Sequence, residues 1–192
     1  MAYDRHIHHR RSIRLKNYDY SRSGAYFVTI CTHDRECLFG KIVDNEMILN
    51  DYGKIVYEEW FLSTKIRNEI VLYENEFVVM PNHIHGIVWV NSNVMDVANN
   101  VGATGRSPLQ NDHLPYQGKP HGPKNKSLSS FIAGYKSSVT KRINQIRQTH
   151  SIPVWQRNYY EHIIRNEIEL NKIREYVLNN PLNWETDENY KI

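Results

Sequence analysis

The stretch Met80–Val90 reads MPNHIHGIVWV. Proline cannot donate to a sheet ladder, so Pro81-Asn82 predicts a break, and the β-branched and aromatic run after it predicts a strand. Side chains alternate across a strand, so His83 and His85 share one face and Ile84 takes the other. Two imidazoles on one face make a natural half-site for a divalent metal. Gly86 would let another backbone or a ligand come close. An HxH pair also occurs in purely structural settings, so partners must be sought elsewhere in the chain.

Working outward, Ile70–Val90 is strand-like apart from the break at Pro81. Upstream, Tyr26–Thr32 (YFVTICT) is a second strand. Leu38–Val43 and Glu46–Leu49 flank Asp44-Asn45 and predict a hairpin. Asn50 or Asp51 caps a helix whose apolar positions Tyr52, Ile55, Val56 and Trp60 recur at helical spacing. Downstream, Ser127 caps a helix with the stripe Leu128, Phe131, Ile132, Tyr135, Val139, Ile143 and Ile146. A last helix starts near Asn166, buries Leu170, Ile173 and Val177, and is stopped by Pro181, because a residue before proline is pushed from the helical region. Strands segregated from helices, with hairpin connections, predict an α+β fold with an antiparallel sheet.

The chain has 192 residues, 40% hydrophobic and 23% charged. That suits a single globular domain spanning 1–192. No apolar run approaches the roughly 20 residues of a bilayer span. The N-terminus is basic without an apolar core, unlike a secretory signal, so a cytoplasmic location and no membrane partner are expected. Cys31 and Cys37 fit no zinc-knuckle spacing and read as two reduced thiols. Residues 91–126 carry eight of the sixteen Gly and Pro residues and few large apolar ones. They read as a long flexible inserted loop.

The net charge is only +3, yet no Asp or Glu lies between Asp112 and Glu161. That stretch holds Lys119, Lys124, Lys126, Lys136, Lys141, Arg142, Arg147 and Arg157. A basic arm, residues 1–20, adds Arg5, Arg10, Arg11, Arg14 and Lys16. Two one-signed segments in a nearly neutral chain point to a polyanion. Trp155, Gln156 and Arg157, followed by Tyr159, Tyr160, His162 and Arg165, interleave rings with cations, a pattern that can stack unpaired bases and hold phosphates. A connector with a core tryptophan is the alternative.

In the last helix, Tyr176 and Asn180 stand four apart and share a face. A phenol beside a metal can serve as a nucleophile toward a phosphate, and Asn180 offers an oxygen ligand. Tyr159 and Tyr160 also lie near a histidine in basic surroundings. No GxxxxGK[ST] pattern is present, so no P-loop nucleotide site is expected. An HxH site for a zinc-bound water would need further His or Asp ligands, and Gly, Ile and Val follow His85.

Several segments together resemble the HUH single-tyrosine transposases, in particular the REP-associated tyrosine transposases of the IS200-like group: YFVTICTHDRECLFG, MPNHIHG, SFIAGYKSSVTKRIN, PVWQRNYYEHIIRNEIE and YVLNNP. The likeness covers most of the chain outside residues 91–126. It implies a ferredoxin- or RRM-like antiparallel sheet backed by helices. It implies His83 and His85 as metal ligands, Tyr176 as the catalytic tyrosine and Asn180, where some relatives carry Gln, as third ligand. The metal would be Mg²⁺ or Mn²⁺. The reaction would cleave and rejoin single-stranded DNA near hairpin sequences through a 5′-phosphotyrosine link. Relatives include monomers and dimers that share sites, so a homodimer stays open. A domesticated binder of hairpin DNA or RNA that does not cut also stays open.

Overall fold

In the computed structural model, which describes residues 18–91 and 123–190, the centre of the molecule is the pair β1 (Gly24–Cys31) and β6 (His83–Val90), antiparallel over their full length. Strict alternation sorts β1. Tyr26, Val28 and Ile30 are wholly buried on one face, and Ala25 and Phe27 on the other. On β6, Ile84 and Val88 join the first set, while His83, His85 and Ile87 face the second.

The sheet and the helices between its strands run strand, helix, edge strand in two pieces, strand, helix, strand, with a hairpin after the first strand and a third helix at the end. β1 is followed by the hairpin β2 (Gly40–Val43) and β3 (Glu46–Leu49), then α1 (Asp51–Ile66), β4 (Ile70–Val71), β5 (Phe77–Val79), β6, α2 (Leu128–Ile146), β7 (Tyr160–Ile164) and α3 (Glu167–Asn179). β4 and β5 share one edge beside β6, β1 lies next, and β7 closes the other edge, all antiparallel. This is the ferredoxin-like arrangement, with the expected hairpin as a separate two-stranded unit. Asp44 and Asn45 both adopt positive φ, 50° and 64°, as a two-residue hairpin turn demands. Among the described residues no helix is long and apolar enough to cross a membrane.

The three helix starts are those the sequence predicts. Asn50, Ser127 and Asn166 each accept from a backbone N–H three residues on, at 3.0, 3.3 and 2.9 Å. α1 and α2 pack on one face of the sheet around Trp60, whose ring stacks on Phe77 at 4.5 Å and meets Phe131 and Tyr135 edge-on. The α2 stripe is buried as far as Ile143, whereas Ile146, expected in the stripe, is exposed. α3 lies on the opposite face through Leu170 and Val177, over Ala25, Phe27 and Ile87.

Four further expectations change. The strand-like run Ile70–Val90 is interrupted a second time, by a one-turn helix at Glu74–Glu76. That turn carries the buried carboxylate of Glu76 to Arg174 and to the Trp89 indole. Gly86 admits neither a ligand nor a backbone: a Cβ there would meet Trp60 Cζ2 at 2.6 Å, on the face away from the histidines. Asn180 stays helical (φ −60°, ψ −41°) although Pro181 follows. The chain tightens into a 3₁₀ turn, Pro181–Thr186, in which proline sits at the first position and its missing N–H is not needed. Lastly, Trp155 is core: 6% exposed, packed on Phe39 and Tyr135, it presents no face on which a base could stack. The N-terminal arm with Arg10, Arg11 and Arg14, and nearly all of the inserted loop, lie outside the described residues.

Candidate metal and tyrosine site

His83 and His85 are buried on the α3 face, 0% and 2% exposed. Their Nε2 atoms are 2.9 Å apart. The ring of each is fixed from behind. Asn82 Oδ1 meets His83 Nδ1 at 2.8 Å. The Asn82 amide orientation is set independently, because its Nδ2 donates to the carbonyls of Arg35 and Asn189. Its oxygen can therefore only accept, so His83 Nδ1 carries the proton and Nε2 presents a lone pair to the site. Thr29 Oγ1, directly across the ladder from His85, meets His85 Nδ1 at 2.8 Å. Phe27 stacks on the His85 ring at 5.4 Å.

Burial holds both imidazoles below their ordinary pKa, His83 to about 4, and for His85 the neighbouring His83 adds to it. Both rings are thus neutral near pH 7, the form that binds metal. Two nitrogens 2.9 Å apart need a proton or a cation between them.

α3 brings Tyr176 over this pair. Its hydroxyl is 3.2 Å from His85 Nε2 and 3.4 Å from Asp187 Oδ2. The phenol is pushed up to about 12, first by burial and then by the charge of Asp187. Asn180, one turn later and 1% exposed, donates from Nδ2 to Asp187 Oδ2 at 3.1 Å. Its Oδ1 is buried without a hydrogen-bond partner. His83, His85 and Asp187 offer ligand atoms within 4.8 Å of one another and form a triad able to hold a metal ion. A divalent cation fits this set. Two imidazole nitrogens and a carboxylate converge, and the orphaned amide oxygen of Asn180, otherwise a desolvation cost, supplies a further hard donor.

Sequence reasoning missed Asp187, Thr29 and Asn82. Asp187 follows a 3₁₀ turn with no periodic signature. Thr29 becomes a partner only through strand register. Asn82, beside His83, was the one that adjacency could have flagged.

The other residues singled out by sequence are dispersed. Lys136 Nζ donates to the carbonyls of Gln156 and Arg157, at 2.5 and 3.3 Å, and burial lowers its pKa to about 8. Gln156 N donates to Cys31 O. Arg142 pairs with Glu58 and Glu59 of α1. His162 bonds Glu169 at 2.7 Å, and the Arg165 backbone N–H donates to the same carboxylate. Lys141 and Arg157 are exposed. Tyr160, 48% exposed on β7, lies edge-on to Phe27.

A protein of Haemophilus influenzae, described as uncharacterized, is 40% identical over 190 residues, covering 98% of this chain and 97% of its own. The two belong to one family. No family model matches. Among solved structures, a REP-associated tyrosine transposase bound to a REP hairpin aligns with a TM-score of 0.54 and 16% identity, covering 88% of this chain and 73% of that one. The fold is therefore that of the REP-associated tyrosine transposase, and the ferredoxin-like sheet expected from the resemblance is the one observed.

Proposed function

We propose that the protein is a metal-dependent, single-tyrosine DNA transposase or endonuclease. It cleaves and rejoins single-stranded DNA beside hairpin sequences. The observation that carries this reading is the Tyr176 hydroxyl standing 3.2 Å from His85 Nε2, over paired imidazoles. The fold shared with a transposase bound to hairpin DNA supports it.

His83, His85, Asn180 and Asp187 would hold Mg²⁺ or Mn²⁺, which when bound polarises a phosphate and offsets its developing charge. Tyr176 Oη attacks the phosphorus. The phenol proton passes to Asp187 Oδ2, 3.4 Å away. One P–O bond forms to the tyrosine and one breaks to the 3′ oxygen, which takes a proton from solvent and leaves as a 3′-hydroxyl. The 5′-phosphotyrosine keeps the ester for rejoining, so no nucleoside triphosphate is consumed. Thr29 and Asn82 hold the imidazoles in their binding orientation.

The test is incubation with labelled hairpin-bearing single-stranded DNA and Mn²⁺. A covalent protein–DNA adduct is expected, lost with EDTA and in Tyr176→Phe, and retained in Tyr160→Phe. An adduct that survives Tyr176→Phe, or hairpin binding with no product on any substrate, overturns the reading.

A further inference from the structure

β1 ends at Cys31, the register partner of His83, and a tight turn over residues 33–36 follows. The Glu36 N–H closes it on His33 O at 3.2 Å. Its two central residues, Asp34 and Arg35, both adopt positive φ, 54° and 55°. A residue with a Cβ is disfavoured there, and turns of this mirror-image kind are dominated by Gly, Asn and Asp. The other side-chain-bearing residues at positive φ serve a local end. Asp44 and Asn45 make the hairpin turn, and Lys126 and Gln148 flank α2. Arg35 occupies a strained position beside the histidine site, and such strain points to a task for the side chain.

Arg35 touches the supports of the site at both ends. Its carbonyl accepts from Asn82 Nδ2, behind His83. Its Nη1 donates to the carbonyl of Glu188, the residue after Asp187, at 3.0 Å. The residue is exposed, and among the described residues this is the one hydrogen bond of its side chain. A guanidinium has five N–H donors and keeps its charge, so donors remain for an anion. The Arg35 charge is felt at His83, whereas the Tyr176 hydroxyl stands against His85. The two thus approach the imidazole pair from opposite sides. In phosphoryl transfer the attacking and leaving oxygens are roughly in line, so a phosphate attacked by Tyr176 turns its 3′ oxygen toward Arg35. Charge builds on that phosphate as it is attacked, and Asp187 adds a negative charge beside it, so a second cation next to the metal would favour the step.

We propose that Arg35 is a further catalytic residue: its guanidinium holds the scissile phosphate opposite Tyr176 and offsets the charge that builds as the bond to the 3′ oxygen breaks. It transfers no proton. The inference rests on the DNA-cleaving reading above, and the experiment separates the two. The full chain is incubated with labelled hairpin-bearing single-stranded DNA and Mn²⁺. The single-turnover rate of adduct formation is read beside Mn²⁺ affinity from isothermal titration. Removing one preorganised donor to a developing charge costs about 100-fold or more in rate, and Arg35→Ala is expected to lose that much with Mn²⁺ affinity unchanged. Asp187 keeps its other holds in this variant: Asn180 Nδ2 on Oδ2, Asn189 N on Oδ1, and Asn82 Nδ2 on Asn189 O. Arg35→Gly suits the left-handed backbone, so its urea midpoint should be no lower than wild type while its rate falls as in Arg35→Ala. A wild-type rate in either variant, a lowered midpoint in Arg35→Gly, or a parallel loss of rate and Mn²⁺ affinity overturns the proposal; the last would make Arg35 a support for Asp187. If the wild type forms no adduct, the cleaving reading fails and binding decides Arg35. Chains carrying Tyr176→Phe are then titrated with the same DNA in Mn²⁺ and in EDTA. One phosphate contact on a single strand is worth a salt slope of about 0.7, or about fivefold at 0.1 M. A loss of that size for Arg35→Ala in Mn²⁺ but not in EDTA keeps the phosphate contact. No loss in Mn²⁺, or equal loss in both, fells it.

Discussion

Asn82 lies within the buried site without being a candidate ligand, and replacing it separates orientation from ligation. In Asn82→Ala the His83 Nδ1–H loses its acceptor, 2.8 Å away in a fully buried setting. Nothing then fixes the tautomer that points a lone pair into the site. Removing a residue that orients a metal-bound histidine lowers metal affinity about 10–100-fold, which is about 1.4–2.8 kcal/mol. The unsatisfied N–H itself costs about 1–3 kcal/mol of stability. Asn82→Asp keeps an acceptor for Nδ1 but removes the donor to Arg35 O and Asn189 O. It should therefore bind metal near the wild-type level while being less stable. Isothermal titration with Mn²⁺, alongside urea unfolding of the same samples, reads both quantities. Were folded Asn82→Ala to bind Mn²⁺ within twofold of wild type, the argument that Asn82 sets the His83 tautomer would fail.

Gly86→Ala drives a Cβ to 2.6 Å from a Trp60 ring that Phe77, Phe131 and Tyr135 hold in place. A loss of about 1–3 kcal/mol is expected, a fall in Tm of about 2–4 °C for each kcal/mol, and a neutral result in thermal unfolding would contradict the packing. With chelator present, the buried neutral His83 should make stability depend on pH. Its folded pKa, about 4, lies below the ordinary 6.5, so the folded chain holds fewer protons. Stability is full above pH 6.5 and falls by roughly 3 kcal/mol as pH drops toward 4, with His85 acting in the same direction. Urea midpoints at pH 7.5 and 4.5 check this, and the difference should shrink in His83→Gln. Glu76→Ala removes the carboxylate that receives Arg174 Nε and Nη2, two residues before Tyr176. Adduct formation should fall, by up to about 100-fold if the phenol shifts by 1 Å, with Mn²⁺ affinity unchanged. A parallel loss of both would mean that Glu76 supports the metal site as well.

The features legible in the sequence are those governed by a local period. Alternation on β6 put His83 and His85 on one face, and the i, i+4 spacing on α3 put Tyr176 and Asn180 together. The caps Asn50, Ser127 and Asn166 were readable because capping is a short-range hydrogen bond. What escaped depends on tertiary placement. Thr29 meets His85 only because β1 pairs with β6 in one register. Asp187 arrives through a 3₁₀ turn after Pro181. Trp155 and Gly86 were misread for a common reason: a large ring or a missing side chain is equally compatible with ligand contact and with close packing, and only the neighbours decide.

The unequal covering of the sheet has a further consequence. α1 and α2 share the extensive cluster around Trp60, whereas α3 buries only Leu170 and Val177 fully and is anchored at its middle by the Glu76–Arg174 pair. Regions with little buried apolar area open at lower free energy than the core they rest on. α3 is therefore expected to open as a unit of its own. Its amides should exchange with solvent before those of β1 and β6, with Tyr176 leaving the histidines while the scaffold that orients them stays folded.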